Sequence, residues 1–485
     1  MTTGSPAARH AINRFGLGAR PGEFQRALTD PRGFVRAQLD QAAALAIEAP
    51  GLVSSEEAIR ANRLAEMTRE RERARQRTAV TDMAAGAAMA TSPPGPTGSG
   101  QMSPPTAQAR DRPPREPQIE QSLFRAEAAA RFGRLYATET ALLERMVLFW
   151  SNHFCVSVAK GGNLRASAGA FEREAIRPHV LGRFSTMLKA VATHPSMLFY
   201  LDNSVSTGPN SRAGRASRRG LNENFARELL ELHTLGVDGG YAQEDVTSLA
   251  RVLTGWTVTN TDEDLLHGGR FTFAPARHEP GVQTVLGVAY GEAGPEQGFA
   301  ALEAMAAHPS TARHIARKIA RHFVADDPPA SLVAKLERSF RETQGDLARL
   351  VRVLVDADEA WDAPATKLRL PLEWVTACLR STARTPETQQ VLGWLTALGQ
   401  PTWQPPGPNG FSDSAAAWIS PEGVDARLDL AAQWARLNAT MNPRDLLGEV
   451  LGPCASPETR QAVARAESRQ QGLAILFMSP EFQRR

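Results

Sequence analysis

The chain has 485 residues, of which 42% are hydrophobic and 22% are charged, and its formal net charge is +3. This composition is typical of a folded globular protein that can bury a large core. The small net charge excludes the strongly basic class of nucleic-acid-binding proteins, so we expect no nucleic-acid partner.

The three cysteines, Cys155, Cys378 and Cys454, lie far apart and form neither a CxxC motif nor a disulfide framework. No apolar run approaches the roughly 18 residues that a membrane span needs. The start of the chain also lacks the basic segment followed by an apolar segment that marks a secretory signal. The sequence therefore predicts a cytoplasmic protein with no membrane span.

The first quarter of the chain divides by composition into two segments. Residues 1–48 contain two short helical patterns, and we expect these N-terminal helices to pack on the main body. Residues 49–120 begin as a highly charged helix and become rich in Ala, Pro, Gly and Ser over about 84–117. Because that composition cannot bury enough apolar surface to order itself, we predict a disordered, flexible insertion there.

Residues 121–485 form one main helical domain in this interpretation, since helical patterns follow one another along the whole segment. The alternation typical of strands occurs near residues 270–287, where two short runs flank a turn that carries His278 and Glu279. We predict one small β-hairpin at this place. The expected fold class is therefore all-α, a large multi-helix body with one hairpin.

The helix predicted over residues 222–235 carries more polar chemistry than packing requires. Its residues are mostly good helix formers, and a glycine follows where a helix commonly ends. At 100° per residue the apolar stripe includes Leu229 but also Asn222 and His233, and Glu228 lies at its border. A buried polar group without a partner costs about 1–3 kcal/mol, so these side chains should have specific polar neighbours.

Polar residues on predicted apolar faces and in tight turns form a candidate site. Imidazole and carboxylate groups act as general acids and bases, and they also bind divalent transition metals. The candidate catalytic residues are His233, Glu228, Asn222, Asp245 and His278. The candidate ligands of a divalent transition metal are His153, His233 and His278.

Each of these residues also has a structural interpretation. His153 lies in the apolar stripe of the preceding helix, so the structural interpretation makes His153 and His233 core histidines bonded to carbonyl groups or to Asn222. Asp245 lies in the first turn of a helix, where the helix dipole favours an acidic residue without any catalytic role. Neither HExxH nor ExxH occurs, so a metal site has to be assembled from distant segments.

Two further segments can form binding surfaces. The helix over residues 310–323 repeats arginine at every fourth position, which suits an anion or an acidic partner, although a solvated face is the alternative. A Pro- and Gly-rich segment carries aromatic residues that can stack on sugar rings or on a partner, or can pin the loop to the core. These aromatic residues are Trp403, Phe411 and Trp418.

Several long motifs together identify a family resemblance. They are GLNENFARELLELHTLGVDGGYAQEDVTSLARVLTGW at 220, HAINRFGLGARPGE near the N-terminus, FWSNHF at 149, HPSTARHIARKIARHFV at 308, LPLEWVTACLRS at 370 and GQPTWQPPGPNGFSD at 399. On these motifs the chain resembles a widespread bacterial family known as domain of unknown function 1800. The resemblance covers the chain outside residues 41–120, and it implies relatives without implying a reaction.

Two positions depart from the pattern of this family. Members often have His-Asp where this chain has His278-Glu279, so the carboxylate lies one methylene farther from the backbone. Members also often have Gly-Trp where this chain has Gly410-Phe411. The first difference bears on any role of the carboxylate that depends on close geometry.

Two hypotheses about function stay open. The first is an enzyme with a buried His/carboxylate site, with or without a metal, whose reaction and substrate are unassigned. The second is a non-catalytic binding partner or chaperone, because the resemblance implies a companion similar to the alkaline phosphatase and sulfatase superfamily. Convergence of His153, His233 and His278 in a solvent-reachable pocket favours the enzyme, whereas dispersed and individually bonded histidines favour the partner.

Overall fold

The computed structural model describes residues 4–89, 118–216, 220–259 and 267–485. These ranges are mainly helical with two small sheets, which confirms the predicted all-α fold class. Near the N-terminus a π-helical turn, His10–Arg14, follows the first helix. The helices of this region are α1 Gly4–Arg9, α2 Glu23–Thr29, α3 Pro31–Arg36 and α4 Ser55–Met89.

Helix α4 corresponds to the predicted charged helix. From residue 70 to residue 81 every side chain is exposed, so this part of the helix projects from the body. The predicted insertion begins inside α4, because residues 84–89 continue the helix. Its remaining residues, 90–117, lie outside the described residues.

In the described part of the chain, the body that follows is built from helices, eight of which start at a proline. Proline suits the first helical turn because its missing N–H has no partner there in any case. These helices are α5 Ile119–Ala137, α6 Ala141–His153, α7 Gly162–Phe171, α8 Phe184–Thr193, α9 Pro195–Tyr200, α10 Arg212–Ala216, α11 Asn224–Glu228, α12 Gln243–Val252, α13 Pro295–Ala306, α14 Pro309–Phe323, α15 Ala330–Glu342, α16 Leu347–Asp356, α17 Asp358–Asp362, α18 Pro371–Thr382, α19 Thr388–Ala397, α20 Pro421–Leu437, α21 Pro443–Val450, α22 Pro457–Ala464, α23 Arg469–Met478 and α24 Pro480–Gln483.

Two copies of the tripeptide His-Pro-Ser begin helices α9 and α14. The Nδ1 atom of His194 accepts a hydrogen bond from the backbone N–H of Ser196 at 3.1 Å. His308 and Ser310 repeat this bond at 3.2 Å. In both places the imidazole therefore caps the helix and satisfies one of the N–H groups that a first turn leaves without a partner.

Two antiparallel two-stranded sheets are present, with strands β1 Trp256–Val258, β2 Phe271–Phe273, β3 Gln283–Val285 and β4 Val288–Tyr290. The two runs predicted as one hairpin are β2 and β3, and they pair with β1 and β4 rather than with each other. Strands β3 and β4 are joined by a tight turn, in which Leu286 and Gly287 have φ values of 53° and 76°. Two successive residues with positive φ form the turn that best matches the twist of a hairpin.

The helix predicted over residues 222–235 is helical from Asn224 to His233 and changes character along its length. Helix α11 passes directly into a π-helical turn, Leu229–His233. Thr234 ends the helix, and its hydroxyl group donates a 2.5 Å hydrogen bond to the Leu229 carbonyl. A π turn holds one more residue than an α turn, so it changes the direction in which His233 points.

Two clusters of buried apolar side chains form the core. The first includes Trp150 and Trp256 and joins the N-terminal helices to the middle of the chain. The second includes Trp374 and Trp434 and lies among α5, α18–α20 and the helices that follow. Trp403 packs against both clusters, so the loop that carries it marks the boundary between them.

Candidate functional site

Two of the predicted histidines, His153 and His233, lie together in the core. Each is the last residue of its helical segment, and their exposed fractions are 2% and 1%. Their ring centroids are 6.1 Å apart. The Nε2 atom of His153 lies 3.1 Å from the carbonyl oxygen of His233. Because a carbonyl only accepts, this nitrogen carries the proton and donates.

Helix α14 adds two residues that complete what we call the histidine cluster: His153, His233, His314 and Lys318. The Lys318 ammonium lies 2.9 Å from Nδ1 of His153 and donates to it, since that nitrogen is the free acceptor. His314 Nε2 donates to the Leu232 carbonyl at 3.2 Å. His314 therefore binds the end of the segment that carries His233, and Lys318 binds the end of α6 at His153.

The histidine cluster is uncharged on its imidazole groups. Burial, with the nearby Lys318 charge as a second cause, lowers the pKa of His233 to about 3 and that of His314 to about 4. The pKa of His153 is lowered well below its ordinary value for the same reasons. The imidazoles of His153 and His314 donate to backbone carbonyls, as the structural interpretation expects, whereas the buried Nδ1 of His233 has no hydrogen-bond partner among the described residues.

Two other predicted catalytic residues make contacts that hold local structure. The side-chain oxygen of Asn222 accepts from the backbone of Asn224 at 2.9 Å, just before α11. One oxygen of Asp245 accepts from the Ala242 backbone at 2.8 Å, which caps α12. Its other oxygen accepts from the Leu286 backbone at 2.7 Å and fixes the β3–β4 turn. These contacts give both side chains a structural role.

Glu228 and His278 are not gathered with the histidine cluster. Glu228 is half-buried, and burial together with the neighbouring Glu231 raises the pKa of its carboxyl group. His278 is buried elsewhere, where its Nδ1–H donates to the Thr254 carbonyl at 2.9 Å and its ring contacts Phe273. Of the three histidines whose convergence would favour an enzyme, only His153 and His233 thus lie close together.

The predicted metal ligands do not form a metal-binding geometry. Across the described ranges, no three His, Cys, Asp or Glu side chains lie close enough together to hold a metal ion. Both ring nitrogens of His153 are also engaged, by Lys318 and by the His233 carbonyl. The metal assignment for His153, His233 and His278 stays a prediction.

A cavity beside the histidine cluster has the features of a functional site. Its volume is about 70 Å³, which exceeds the space of one water molecule and admits a small molecular group. Four of the segments that carry the family resemblance line it, and these are the segments beginning at 149, 308, 370 and 399. Their polar and aromatic lining residues are Ser151, Asn152, His322, Glu373, Gln400, Thr402, Trp403, Phe411 and Asp413.

Asp413 and His322 form a hydrogen-bonded pair on the cavity wall. The Nδ1 atom of His322 lies 2.8 Å from Oδ1 of Asp413, and the two side chains are 5% and 13% exposed. Burial opposes ionisation of Asp413, but His322, Lys367 and Lys318 outweigh it and hold the pKa of its carboxyl group well below its usual range. Asp413 is therefore an ionised carboxylate.

Glu373 is a second carboxylate in the cavity wall and is fully engaged. Its Oε2 lies 2.8 Å from Nε of Arg485, and its Oε1 lies 3.2 Å from Nη1 of Arg145. Burial works against its charge, yet these two arginines hold the pKa of Glu373 at about 2. Arg145 also approaches Nε2 of His322 at 3.3 Å, so this network fixes the imidazole that faces Asp413.

Three groups in the cavity wall have unused hydrogen-bonding capacity within the described part of the chain. Oδ2 of Asp413 accepts no hydrogen bond, whereas Oδ1 is bound by His322. Nε2 of Gln400 makes no hydrogen bond, although Oε1 of the same amide accepts from the Leu372 backbone at 2.8 Å. The buried hydroxyl group of Thr402 has no partner. The Asp413 acceptor and the Gln400 donor are thus available to a ligand, whereas the Thr402 hydroxyl group has no accessible surface.

Of the residues that line the cavity, Trp403 and Phe411 were named from the sequence as candidate stacking residues, whereas His322 and Asp413 were not among the predicted site residues. His322 lies four residues after Lys318 and eight after His314, along the edge of the apolar stripe of α14. That spacing is a usable signal, because the exposed arginines at 313, 317 and 321 occupy a different face. Asp413 had no such signal, since its partner His322 is 91 residues away in the chain.

Comparisons with known proteins bear on the identity of the chain. Within the described ranges, no helix is long and apolar enough to cross a membrane. No curated protein and no solved structure matched the chain. A family model with the description "Protein of unknown function (DUF1800)" matches residues 10–484, nearly the whole length. The chain therefore belongs to the DUF1800 family of proteins of unknown function.

Proposed function

We propose that this protein is an enzyme, that the cavity is its active site and that the ionised carboxylate of Asp413 is its catalytic group. The proposal retains a site of the His/carboxylate kind and moves it from residues 222–235 to His322 and Asp413. The observation that carries it is the unpaired Oδ2 of an ionised, largely buried carboxylate facing a cavity. An ionised group that is held in place and left one hydrogen bond short is typical of a binding or catalytic site.

The arrangement supplies the parts that an ionised catalytic group needs. His322 binds Oδ1 and so fixes the direction of Oδ2, which makes it a positioning residue. Asp413 stays charged throughout the neutral range because its pKa is far below it. A carboxylate with so low a pKa is a weak base, so it acts by stabilising positive charge that develops on the substrate and by orienting a bound hydroxyl group.

Turnover measurements with Asp413→Asn test this proposal. A panel of chromogenic esters, phosphate esters and glycosides is assayed with the wild-type protein and the variant. We expect the variant to lose about 10²–10³-fold in kcat/KM on any compound that the wild type converts, because the neutral amide cannot stabilise positive charge in the transition state. The matched control is Asp425→Asn, an exposed aspartate on α20, which should leave the rate unchanged.

Two results would overturn the proposal. One is a wild-type protein that converts no compound of the panel faster than a heat-denatured sample. The other is an Asp413→Asn variant as active as the Asp425→Asn control. Circular dichroism of both variants shows that each rate is measured on folded protein.

The second candidate function is a non-catalytic partner of a companion similar to the phosphatase and sulfatase superfamily. Its support is the exposed row of Arg313, Arg317 and Arg321 on α14, which presents three positive charges on one face. Binding of such a companion to the wild type and to Arg313→Glu/Arg317→Glu, measured by calorimetry, tests it. Equal binding by both proteins removes this face from the candidate interfaces, whereas loss in the variant supports it.

A further inference from the structure

The cavity continues outward into an open groove. The groove is lined by parts of the 399–423 segment and shares Pro401 and Phe411 with the cavity. Trp418 stands in the groove, and its ring centroid lies 6.3 Å from that of Phe411. A molecule that fills the cavity with one end therefore has a path along which the rest of it can lie.

The charges along this path disfavour an anionic ligand. The cavity presents the ionised carboxylate of Asp413, and the groove adds Glu422, while Glu373 is neutralised by its two arginine partners. The arginine that lines the cavity, Arg131, is paired with Glu172 at 3.0 Å. The arginine that lines the groove, Arg427, is bound to protein acceptors. The path thus suits a ligand without negative charge, such as one with neutral hydroxyl groups.

The shape of the path favours rings over an extended peptide. Peptides commonly bind by adding a strand to a sheet edge, and none of the strands β1–β4 borders the cavity or the groove. The path instead offers the aromatic rings of Phe411 and Trp418, both half-buried in a Pro- and Gly-rich frame. Aromatic faces pack well against the flat C–H face of a sugar ring, whose hydroxyl groups remain free to bond at its edge.

We propose that the substrate is the end of a neutral oligosaccharide chain, with a hydroxyl or hydroxymethyl group of its terminal unit in the cavity and the sugar rings along the groove. This inference rests on the proposed function and names the substrate class of the same site. The group in the cavity finds an acceptor at Asp413 and a donor at Gln400. The next units lie against the rings of Phe411 and Trp418.

Calorimetry with sugar oligomers of increasing length tests the inference. The probes are β-1,4-linked glucose, xylose and N-acetylglucosamine and α-1,4-linked glucose, each from one to five units, with tetra-alanine and inorganic phosphate as other ligand classes. The protein is Asp413→Asn, which retains an oxygen acceptor and converts the probes slowly, beside the wild type. We expect one sugar series to bind, with affinity rising about tenfold or more from one unit to four, as one or two ring contacts are added.

Variants of Trp418 show whether the groove causes the dependence on length. Trp418→Ala should bind a single unit normally and lose the gain from longer oligomers, while Trp418→Phe should recover most of it. The control is Ile419→Ala, an exposed neighbour, 55% exposed, that does not line the groove. A length dependence that survives in Trp418→Ala overturns the groove assignment.

Failure of this inference and failure of the proposed function give different results. If no sugar series binds at millimolar concentration, the oligosaccharide assignment is overturned, even where Asp413 is needed for turnover of another compound. If a sugar series binds but no compound is converted, the substrate-class inference stands as a binding site and the enzyme proposal falls. Binding of phosphate or tetra-alanine in place of sugars also overturns the assignment.

Discussion

At the scale of single residues, the main feature is that one aspartate keeps an unused oxygen while its neighbours are saturated. Asp413 receives His322 on Oδ1 and leaves Oδ2 open, whereas both oxygens of Glu373 are bound by arginines. Similar residue types thus have different roles because of their partners. The partners of Asp413 make its charge permanent near neutral pH, and those of Glu373 make it part of the scaffold.

Replacing His322 by Gln should change the pH dependence of activity more than the stability of the fold. His322 helps to keep Asp413 ionised, so its removal should raise the pKa of Asp413 toward its ordinary value. The acid limb of kcat/KM against pH should then move to higher pH. An acid limb at the same pH as in the wild type would contradict the positioning role of His322.

The histidine cluster should make the protein sensitive to acid. Its imidazoles are neutral when folded, with pKa values of about 3 for His233 and about 4 for His314, against 6.5 for the unfolded chain. Below pH 6.5 the unfolded state binds more protons than the folded state, so the unfolding free energy falls as the pH decreases from about 6.5 toward 4. Above pH 6.5 the contribution of the neutral imidazoles to stability is fully present. Urea unfolding across pH 4–8 measures this slope.

The variant His314→Gln isolates one member of the histidine cluster. Its amide can still donate to the Leu232 carbonyl but does not titrate. Between pH 4 and 6.5 the slope of unfolding free energy against pH should therefore decrease by up to the amount that corresponds to the uptake of about one proton on unfolding. A slope equal to that of the wild type would show that His314 is protonated in the folded protein.

At the scale of elements, the loop that carries Asp413 is positioned by a close approach to α6. Gly410 has a φ of +77°, and a Cβ atom there would lie 2.5 Å from the Asn152 carbonyl oxygen. Asn152 also clamps Phe411, donating to its carbonyl and accepting from its N–H, both at 2.8 Å. The short distance and the positive φ both require glycine at this position.

Gly410→Ala should therefore displace the loop and lower turnover. The strain is about 1–3 kcal/mol, and the loop can relieve it only by moving Phe411 and Asp413. Thermal unfolding and kcat/KM measure the two effects. The control is Gly407→Ala in the same loop, where the nearest atom is the end of the flexible Asn409 side chain. Unchanged activity in Gly410→Ala would contradict the positioning of Asp413 by this contact.

Asp245 provides a test at a residue that the sequence placed among the catalytic candidates. It caps α12 and holds the β3–β4 turn, so Asp245→Ala should reduce the unfolding free energy by about 1–2 kcal/mol. Activity per folded molecule should stay at the wild-type level. Glu244→Ala, its exposed neighbour, should change stability by less. Loss of turnover in a folded Asp245→Ala protein would restore the catalytic interpretation.

At the scale of the whole molecule, the projecting part of α4 is separate from both core clusters. Its side chains are exposed from residue 70 to residue 81. Arg69 lies 3.1 Å from Glu120, so the chain returns to the body close to the place where the projection starts. Replacing residues 74–115 by a short Gly/Ser linker should therefore change the unfolding free energy by less than about 1 kcal/mol and leave activity intact.

A deeper deletion serves as the control for this replacement. Removing residues 56–115 also removes Ile59 and Asn62, which are buried at 2% and 0% exposure. That protein should unfold at a clearly lower temperature. Equal melting temperatures for both deletions, or failure of the shorter one to fold, would contradict the separation of the projection from the core.

The sequence predicted those features of the fold that depend on residues close together in the chain. Helix content and the strand character near 270–287 depend on neighbouring residues, and both are present. The inward direction of His153 and His233 followed from their helical stripes. Other features depend on residues far apart in the chain, and periodicity gives no information about them. They are the pairing of the strands, the contact of Lys318 with His153 and the pair of Asp413 and His322.

The most direct test of the central claim is a crystal structure of Asp413→Asn soaked with a compound that the wild-type protein converts. The account predicts electron density for that compound in the cavity, with one of its polar atoms within hydrogen-bond distance of residue 413. Density for the compound bound at another place, with the cavity empty, would contradict the assignment of the active site.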